Sequence, residues 1–103
     1  MKRGEVWWAD LPQPYGRRPV VLLTRDEAYR FRTSVTVAEI TSTIRQIPVE
    51  VLLTQEDGLS KACVANLDTI MTIRKNLLKE QICLLSPQKM DDIDSAIKFA
   101  LAL

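Results

Sequence analysis

The distribution of apolar and polar positions along the chain predicts five β-strands. Each segment alternates apolar and polar residues or concentrates β-branched and aromatic ones, which favours a pleated, partly buried backbone. Turn-forming residues separate the first two, in the sequence PQPYG at residues 12–16. The second, RPVVLLT, is apolar on both faces and is therefore predicted to be a central strand. The five segments are Glu5 to Leu11, residues 18–24, Ser34 to Thr41, residues 47–54 and residues 62–73.

Shorter elements are predicted between these strands, and a helix after them. Residues 25–31 favour a helical turn, residues 56–61 a loop or short helical turn, and residues 81–86 a short sixth element. Ser86 can then cap a helix whose first position is Pro87. Beyond it, apolar residues recur every three or four positions and mark one helix face. They are Met90, Ile93, Ile97 and Leu101.

Short strands followed by one terminal helix indicate an α+β fold. The number and shortness of the strands favour a small, strongly curved antiparallel β-barrel with a C-terminal α-helix. A chain of 103 residues is long enough for one hydrophobic core and too short for two. Residues 1–103 are therefore predicted to form a single domain.

The composition is that of a soluble globular protein, with 47% apolar and 26% charged residues. The longest apolar runs have four or five residues, which is too short to span a bilayer. The N-terminal sequence MKRGEVWW lacks the apolar segment of a signal peptide. We therefore expect a cytoplasmic protein that does not associate with membranes.

The arginines are unevenly placed, although the net charge of +1 neither favours nor opposes a polyanionic partner. Seven of the eight lie in the first 45 residues, and arginine suits bidentate contact with phosphate and stacking on bases. One interpretation is a set of solvated surface charges, which composition alone favours. The other is a cationic face that the fold assembles.

The residue types give no support for a metal or another cofactor. The chain has no histidine and two cysteines, Cys63 and Cys83, which we interpret as buried free thiols rather than a disulfide or zinc ligands. Three aspartates near the start of the predicted helix complement the positive end of its dipole and are solvated, which is a simpler account than a metal cluster. They are Asp91, Asp92 and Asp94.

Four segments, in this order and spacing, resemble the MazF/PemK family, the toxin halves of bacterial toxin–antitoxin pairs. They read RGEVWWADL, RRPVVLLT, SVTVAEITSTIR and VANLDTIMTIRK, and the resemblance runs from about Lys2 to the terminal helix. It implies an SH3-like barrel that forms a homodimer. It also implies cleavage of single-stranded RNA by attack of its own 2′-hydroxyl, without a metal, which leaves a cyclic phosphate and a free 5′-hydroxyl. A cognate MazE-like antitoxin would occupy the RNA groove, and DNA would be contacted only through the antitoxin complex.

The resemblance assigns the central role to Arg18, which matches the family's catalytic arginine. A guanidinium fork matches two phosphate oxygens and would stabilise the charge that develops on the phosphate during cleavage. Pro19 and the buried strand behind it would hold this side chain. The alternative is that Arg18 closes the barrel by pairing with a carboxylate. Arg17 would bind RNA or face solvent.

Further site residues follow from the same resemblance. Thr41 matches the second catalytic position and would donate a hydrogen bond or relay a proton, since its own pKa is too high for a base. Asp68 aligns with an acidic position that some members use in catalysis. Glu39 would share a strand face with Thr41, so either carboxylate is a candidate proton acceptor or a structural partner of arginine. The proton donor is left unassigned.

The predicted RNA-binding residues are Arg17, Glu39, Thr43 and Asn66. Asn66 departs from the family, part of which has an arginine there, two residues before the acidic position. The loop from Pro12 to Arg17 is also shorter than in relatives. Of the adjacent tryptophans, Trp7 and Trp8, one is expected in the core and the other at a dimer interface or under a base.

Two other classes of function remain open at this point. The CcdB group of toxins shares the fold implied here and poisons DNA gyrase without cutting RNA. A non-catalytic barrel that binds nucleic acid or a peptide is the other alternative, and the modest net charge favours it. The pair of Arg18 and Thr41 argues for the nuclease.

Overall fold

Six antiparallel strands form one curled sheet in the computed structural model, which describes residues 1–103. The strand order across the sheet is β4-β5-β3-β2-β1-β6, so the predicted central strand does lie inside the sheet. The strands are β1 (Glu5–Leu11), β2 (Gly16–Leu22), β3 (Ser34–Thr41), β4 (Glu50–Leu53), β5 (Cys63–Arg74) and β6 (Leu78–Leu84), and one helix, α1 (Pro87–Leu101), follows. The predicted α+β fold, a curved antiparallel sheet with a C-terminal helix, is confirmed.

β2 begins and ends two residues earlier than predicted and β5 begins and ends one residue later, while the starts of β4 and β6 are displaced by three residues for clear physical reasons. β4 begins three residues later than predicted because a turn precedes it. In this turn the Glu50 N–H donates to the Ile47 carbonyl oxygen at 3.0 Å, a typical hydrogen-bond distance. β6 begins three residues earlier and includes polar residues, because it is an edge strand that pairs only with β1. Residues on the solvent face of an edge strand need not be apolar.

A bulge interrupts the pairing of β5 with β3. Ala38 in β3 pairs with Ile70, whereas the next residue, Glu39, pairs with Asn66, so residues 67–69 have no partner in β3. The Leu67 N–H donates instead to the Val49 carbonyl oxygen at 2.9 Å. The bulge sharpens the curvature of the sheet at this point.

The buried side chains form two clusters on the two faces of the sheet, rather than the one core expected from the chain length. One contains Val21, Ile40 and Leu67, and it is covered by α1. The other contains Val20, Val37 and neighbouring residues. Since residues of one strand alternate between the faces, β2 and β3 contribute to both clusters and are held firmly between them.

Helix α1 begins as predicted and is buried along a slightly different face. The Ser86 hydroxyl accepts a hydrogen bond from the Lys89 N–H at 3.1 Å, and Pro87 occupies the first turn. Ile93 and Ala96 are buried, whereas Leu101, at the end of the predicted apolar face, is 57% exposed. The helix ends there, beyond the edge of the core.

The account of the helix aspartates needs one correction. Asp94 accepts a hydrogen bond from Arg3 Nη2 at 2.6 Å and so joins the helix to the N-terminus of the chain. Asp94 therefore forms a structural ion pair and is not merely a solvated complement of the helix dipole.

Cys63 and Cys83 are free thiols as predicted, with Cys63 buried and Cys83 half-buried. No helix of the protein has the length and apolar character required to cross a bilayer.

Candidate functional site

A cleft with a volume of about 550 Å³ opens where β2 begins and β3 ends. Its lining contains three cations and four hydroxyl side chains, and no carboxylate. Such a lining is electrostatically suited to an anion. The walls are Trp8, residues 17–19, residues 40–43, residues 58–61, Cys63 and Ile82.

Arg18 lies in this cleft and is held from two sides. Its Nε donates to the Tyr15 carbonyl oxygen at 2.8 Å, and its Nη1 donates to Glu39 Oε1. The Arg18 side chain is 34% exposed, whereas the Glu39 side chain is 9% exposed. Both alternatives for Arg18 therefore describe part of the geometry, since it pairs with a carboxylate and also lines the cleft that contains Thr41.

Thr41 is the last residue of β3 and lies in the same cleft as Arg18. Its Oγ1 accepts a hydrogen bond from the Thr43 N–H at 3.2 Å. Because this contact uses a lone pair of the oxygen, the hydroxyl proton stays available for a ligand. Thr43 also lines the cleft, as its predicted role in RNA binding requires.

Arg17 lies over the ring of Trp8, with 5.2 Å between its Cζ and the ring centroid. Its Nη1 is 3.4 Å from Asp10 Oδ1, and about half of each side chain in this ion pair is exposed. The strand register explains the stack, because Trp8 pairs with Pro19 and Asp10 pairs with Arg17 across the same hairpin. Trp8 is thus the tryptophan that reaches the cleft, while Trp7 packs against a core cluster.

Residues 58–61 form a further wall that the sequence interpretation missed. They contribute Lys61, which forms no ion pair, and the hydroxyl of Ser60. Gly58 is required at the start of this wall, because its φ is +107° and a Cβ there would lie 2.6 Å from the Cβ of Cys83. The one available signal was a glycine beside polar residues, which is also typical of any surface turn.

Three of the predicted site residues do not line the cleft. Asp68 is exposed and lines another cavity of about 370 Å³ with Pro12, Tyr15 and residues 69–73. Asn66 is 8% exposed, and its Oδ1 accepts a hydrogen bond from the Asp68 N–H at 2.9 Å. Glu39 reaches the cleft only through Arg18. The β5 bulge separates Asp68 from Arg18, since it turns residues 67–69 away from β3.

Cys63 lines the cleft without the properties of a nucleophile. Burial raises the pKa of its thiol, and burial likewise raises the pKa of Cys83. Because the thiolate is the reactive form, both side chains are mainly protonated and unreactive near neutral pH. No cluster of three or more cysteine, aspartate or glutamate side chains is arranged to hold a metal ion.

The whole chain matches known proteins in both sequence and fold. A family model described as "PemK-like, MazF-like toxin of type II toxin-antitoxin system" matches residues 2–101. Endoribonuclease MazF of Staphylococcus saprophyticus is 37% identical over 111 aligned residues, which cover 100% of this chain and 92% of the relative. The solved structure of Mycobacterium tuberculosis toxin MazF-mt6 has a TM-score of 0.89 at 33% identity, and the alignment covers 96% of this chain and 97% of the toxin chain. An endoribonuclease from Mycobacterial species, solved in complex with its cognate antitoxin, has a TM-score of 0.88 at 30% identity, and the alignment covers 100% of this chain and 96% of the endoribonuclease chain.

Proposed function

Because this chain belongs to the family of PemK-like, MazF-like toxins of type II toxin–antitoxin systems, we propose that it cleaves single-stranded RNA in the cleft that contains Arg18 and Thr41. It is a toxin endoribonuclease, in keeping with its relatives. The observation that carries the proposed site is the lining of the cleft, which has Arg17, Arg18 and Lys61 and no carboxylate. The phosphate groups of RNA are anions, which such a lining favours.

The proposed reaction is a transesterification that needs no metal. The RNA 2′-oxygen attacks the adjacent phosphorus, the bond to the 5′-oxygen breaks, and a 2′,3′-cyclic phosphate forms. Arg18 would stabilise the negative charge that develops on the phosphate, because its guanidinium is fixed in the cleft before the substrate arrives. Thr41 would donate its hydroxyl proton in a hydrogen bond to a phosphate oxygen.

The other cleft residues would bind the RNA chain. Arg17 and Lys61 offer phosphate contacts, and Thr43 and Ser42 offer hydroxyls. Trp8 offers part of its ring to a base, although Arg17 already covers one region of it. Asp68 lies in a different cavity, so the proposal assigns it no step.

The proposed partners are single-stranded RNA, a second copy of the chain and a cognate antitoxin. A protein of this fold is known in complex with its cognate antitoxin, at 30% identity to this chain. A MazE-like antitoxin that covers the cationic cleft would exclude RNA from it. DNA contact would then be indirect, through the antitoxin.

Incubation of the purified protein with mixed single-stranded RNA in EDTA tests the proposed reaction. We expect cleavage at specific sites, with cyclic-phosphate and 5′-hydroxyl ends. Arg18→Ala should reduce the rate by about a hundredfold or more, because a preorganised donor to the transition state is lost. Arg30→Ala is the matched control, since Arg30 is an exposed arginine outside the cleft. Intact RNA with the wild-type protein, whether gyrase is arrested or RNA is only retarded on a gel, would contradict the proposal.

A further inference from the structure

Glu39 is a buried carboxylate whose presence needs an explanation. Only 7% of the residue is exposed, and Glu39 and Asn66 are the two polar residues among the 28 buried residues. A buried charge without a partner is strongly unfavourable, so such a residue is retained where its partner requires it. Its ion-pair partner is Arg18.

The strand register brings these two side chains together. Glu39 in β3 pairs directly with Val20 in β2, and Arg18 lies two residues from Val20 on the same face of β2. Both strands are fixed by buried neighbours on either side, among them Val21 and Ala38. The carboxylate therefore occupies a rigid position directly behind the guanidinium.

The hydrogen bonds of Arg18 leave one edge of its guanidinium for a ligand. Nε is used by the Tyr15 carbonyl oxygen and Nη1 by Glu39, and Nη2 makes no hydrogen bond within the protein. Acceptors at Nε and Nη1 fix both the plane of the guanidinium and its rotation, since these two nitrogens lie on either side of Nη2. Because Arg18 lines the cleft, Nη2 is the guanidinium nitrogen left for a ligand there.

We propose that Glu39 is a positioning residue, which fixes the Arg18 guanidinium so that its Nη2 edge meets the scissile phosphate. This inference rests on the proposed function, in which Arg18 stabilises the charge on that phosphate. Glu39 touches no substrate and does not accept the 2′-hydroxyl proton. It acts through Arg18 alone, and a free arginine in its absence would sample many orientations in solvent.

A double-mutant cycle in kcat tests this role. Glu39→Ala should lower kcat by about tenfold to a hundredfold with little change in KM, since misorientation of a catalytic group costs rate. Glu39→Gln should lose less, because its amide oxygen still accepts a hydrogen bond from Arg18. In the Arg18→Ala background, measured with enzyme in excess, Glu39→Ala should have no further effect. Glu27→Ala, an exposed glutamate outside the cleft, is the matched control.

A spectroscopic measurement gives an independent readout of the same contact. The guanidinium N–H resonances of Arg18 should be slowed in exchange and rotation in the wild-type protein and averaged in Glu39→Ala. Wild-type kcat in Glu39→Ala, or unchanged Arg18 resonances, would overturn the inference. An equal loss of rate in both backgrounds would also overturn it, because Glu39 would then act independently of Arg18. If the wild-type protein does not cut RNA at all, the proposed function fails first, and the resonances still decide whether Glu39 orients Arg18.

Discussion

The hydroxyl oxygen of Thr41 has a defined position before any substrate binds. It accepts the Thr43 N–H at 3.2 Å, and its proton can rotate towards a ligand in the cleft. The preceding residue, Ile40, is buried in a core cluster, which anchors this end of the strand. A hydroxyl held in this way can stabilise a phosphate oxygen without reorganising during the reaction.

Thr41→Val tests the chemical part of this hydroxyl at nearly constant volume. We expect cleavage to slow by about tenfold to a hundredfold, because one hydrogen-bond donor to the phosphate is lost. Thr41→Ser is the control and should stay close to the wild-type rate, since it keeps the oxygen that accepts the Thr43 N–H. The measurement is the single-turnover rate on a short RNA. A Thr41→Val rate equal to that of wild type would remove the hydroxyl from the mechanism.

At the scale of single residues, the sequence predicted the cleft residues at the ends of β2 and β3 and missed those that other parts of the fold bring to the cleft. Arg18 and Thr41 were placed in one site, and they line one cleft. Lys61 reaches the same cleft from a turn that no local pattern marks. The sequence predicted that one of the two adjacent tryptophans lies outside the core, but not that it is Trp8. The roles predicted for Asp68 and Asn66 remain untested, and neither residue lines the cleft. Asp68 lies in the β5 bulge, which alternation of residue types does not reveal.

Among the elements, the turn at residues 58–61 depends on a close approach to β6. Gly58 follows a single 3-10 turn, Gln55–Asp57, in which the Thr54 side chain caps the Glu56 N–H. Its positive φ ends that turn and directs the chain along the cleft. A larger residue would push the wall away from β6, where Cys83 lies.

Gly58→Ala should therefore destabilise the fold and loosen the cleft wall. The added Cβ would lie 2.6 Å from Cys83 Cβ, and the residue would also keep φ near +107°. Overpacking and backbone strain together should cost about 2 kcal/mol or more, a fall in Tm of roughly 8–16 °C.

Gly16→Ala is the matched control for this substitution. Its φ is +67°, but no atom lies within 4 Å of the added Cβ, so the variant reports backbone strain alone. Differential scanning calorimetry of both variants separates the two effects. Equal Tm values would contradict the proposed contact with Cys83.

The elements themselves were largely predictable because their residue types agree with their burial. β1 and β3 have the bounds that alternation predicted, and α1 begins at the predicted cap. The strand order was not predictable, since pairing across the sheet depends on contacts far apart in sequence. β6 beside β1 is one example, because its pairing brings together residues 69 to 79 positions apart.

For the whole molecule, function depends on the local distribution of charge rather than its sum. The net charge is +1, so attraction of RNA over a long distance is weak. The cleft nevertheless concentrates three cations where no carboxylate lines the surface. Binding of RNA should therefore be electrostatic in origin and confined to a few phosphates.

The dependence of RNA affinity on salt measures how many phosphates these cations meet. For single strands the slope of log K against log salt is about −0.7 per neutralised phosphate. Arg17 and Arg18 are paired with Asp10 and Glu39, so the expected slope lies between about −0.7, for Lys61 alone, and about −2, for all three cations. Lys61→Ala should reduce its magnitude by about 0.7, because Lys61 has no ion-pair partner within the protein and its charge is available to RNA. Lys98→Ala, on the exposed side of α1, should leave it unchanged. Fluorescence anisotropy with 2′-O-methyl RNA gives the slope without cleavage, since the attacking hydroxyl is blocked. An equal slope for Lys61→Ala and wild type would mean that RNA does not follow this wall of the cleft.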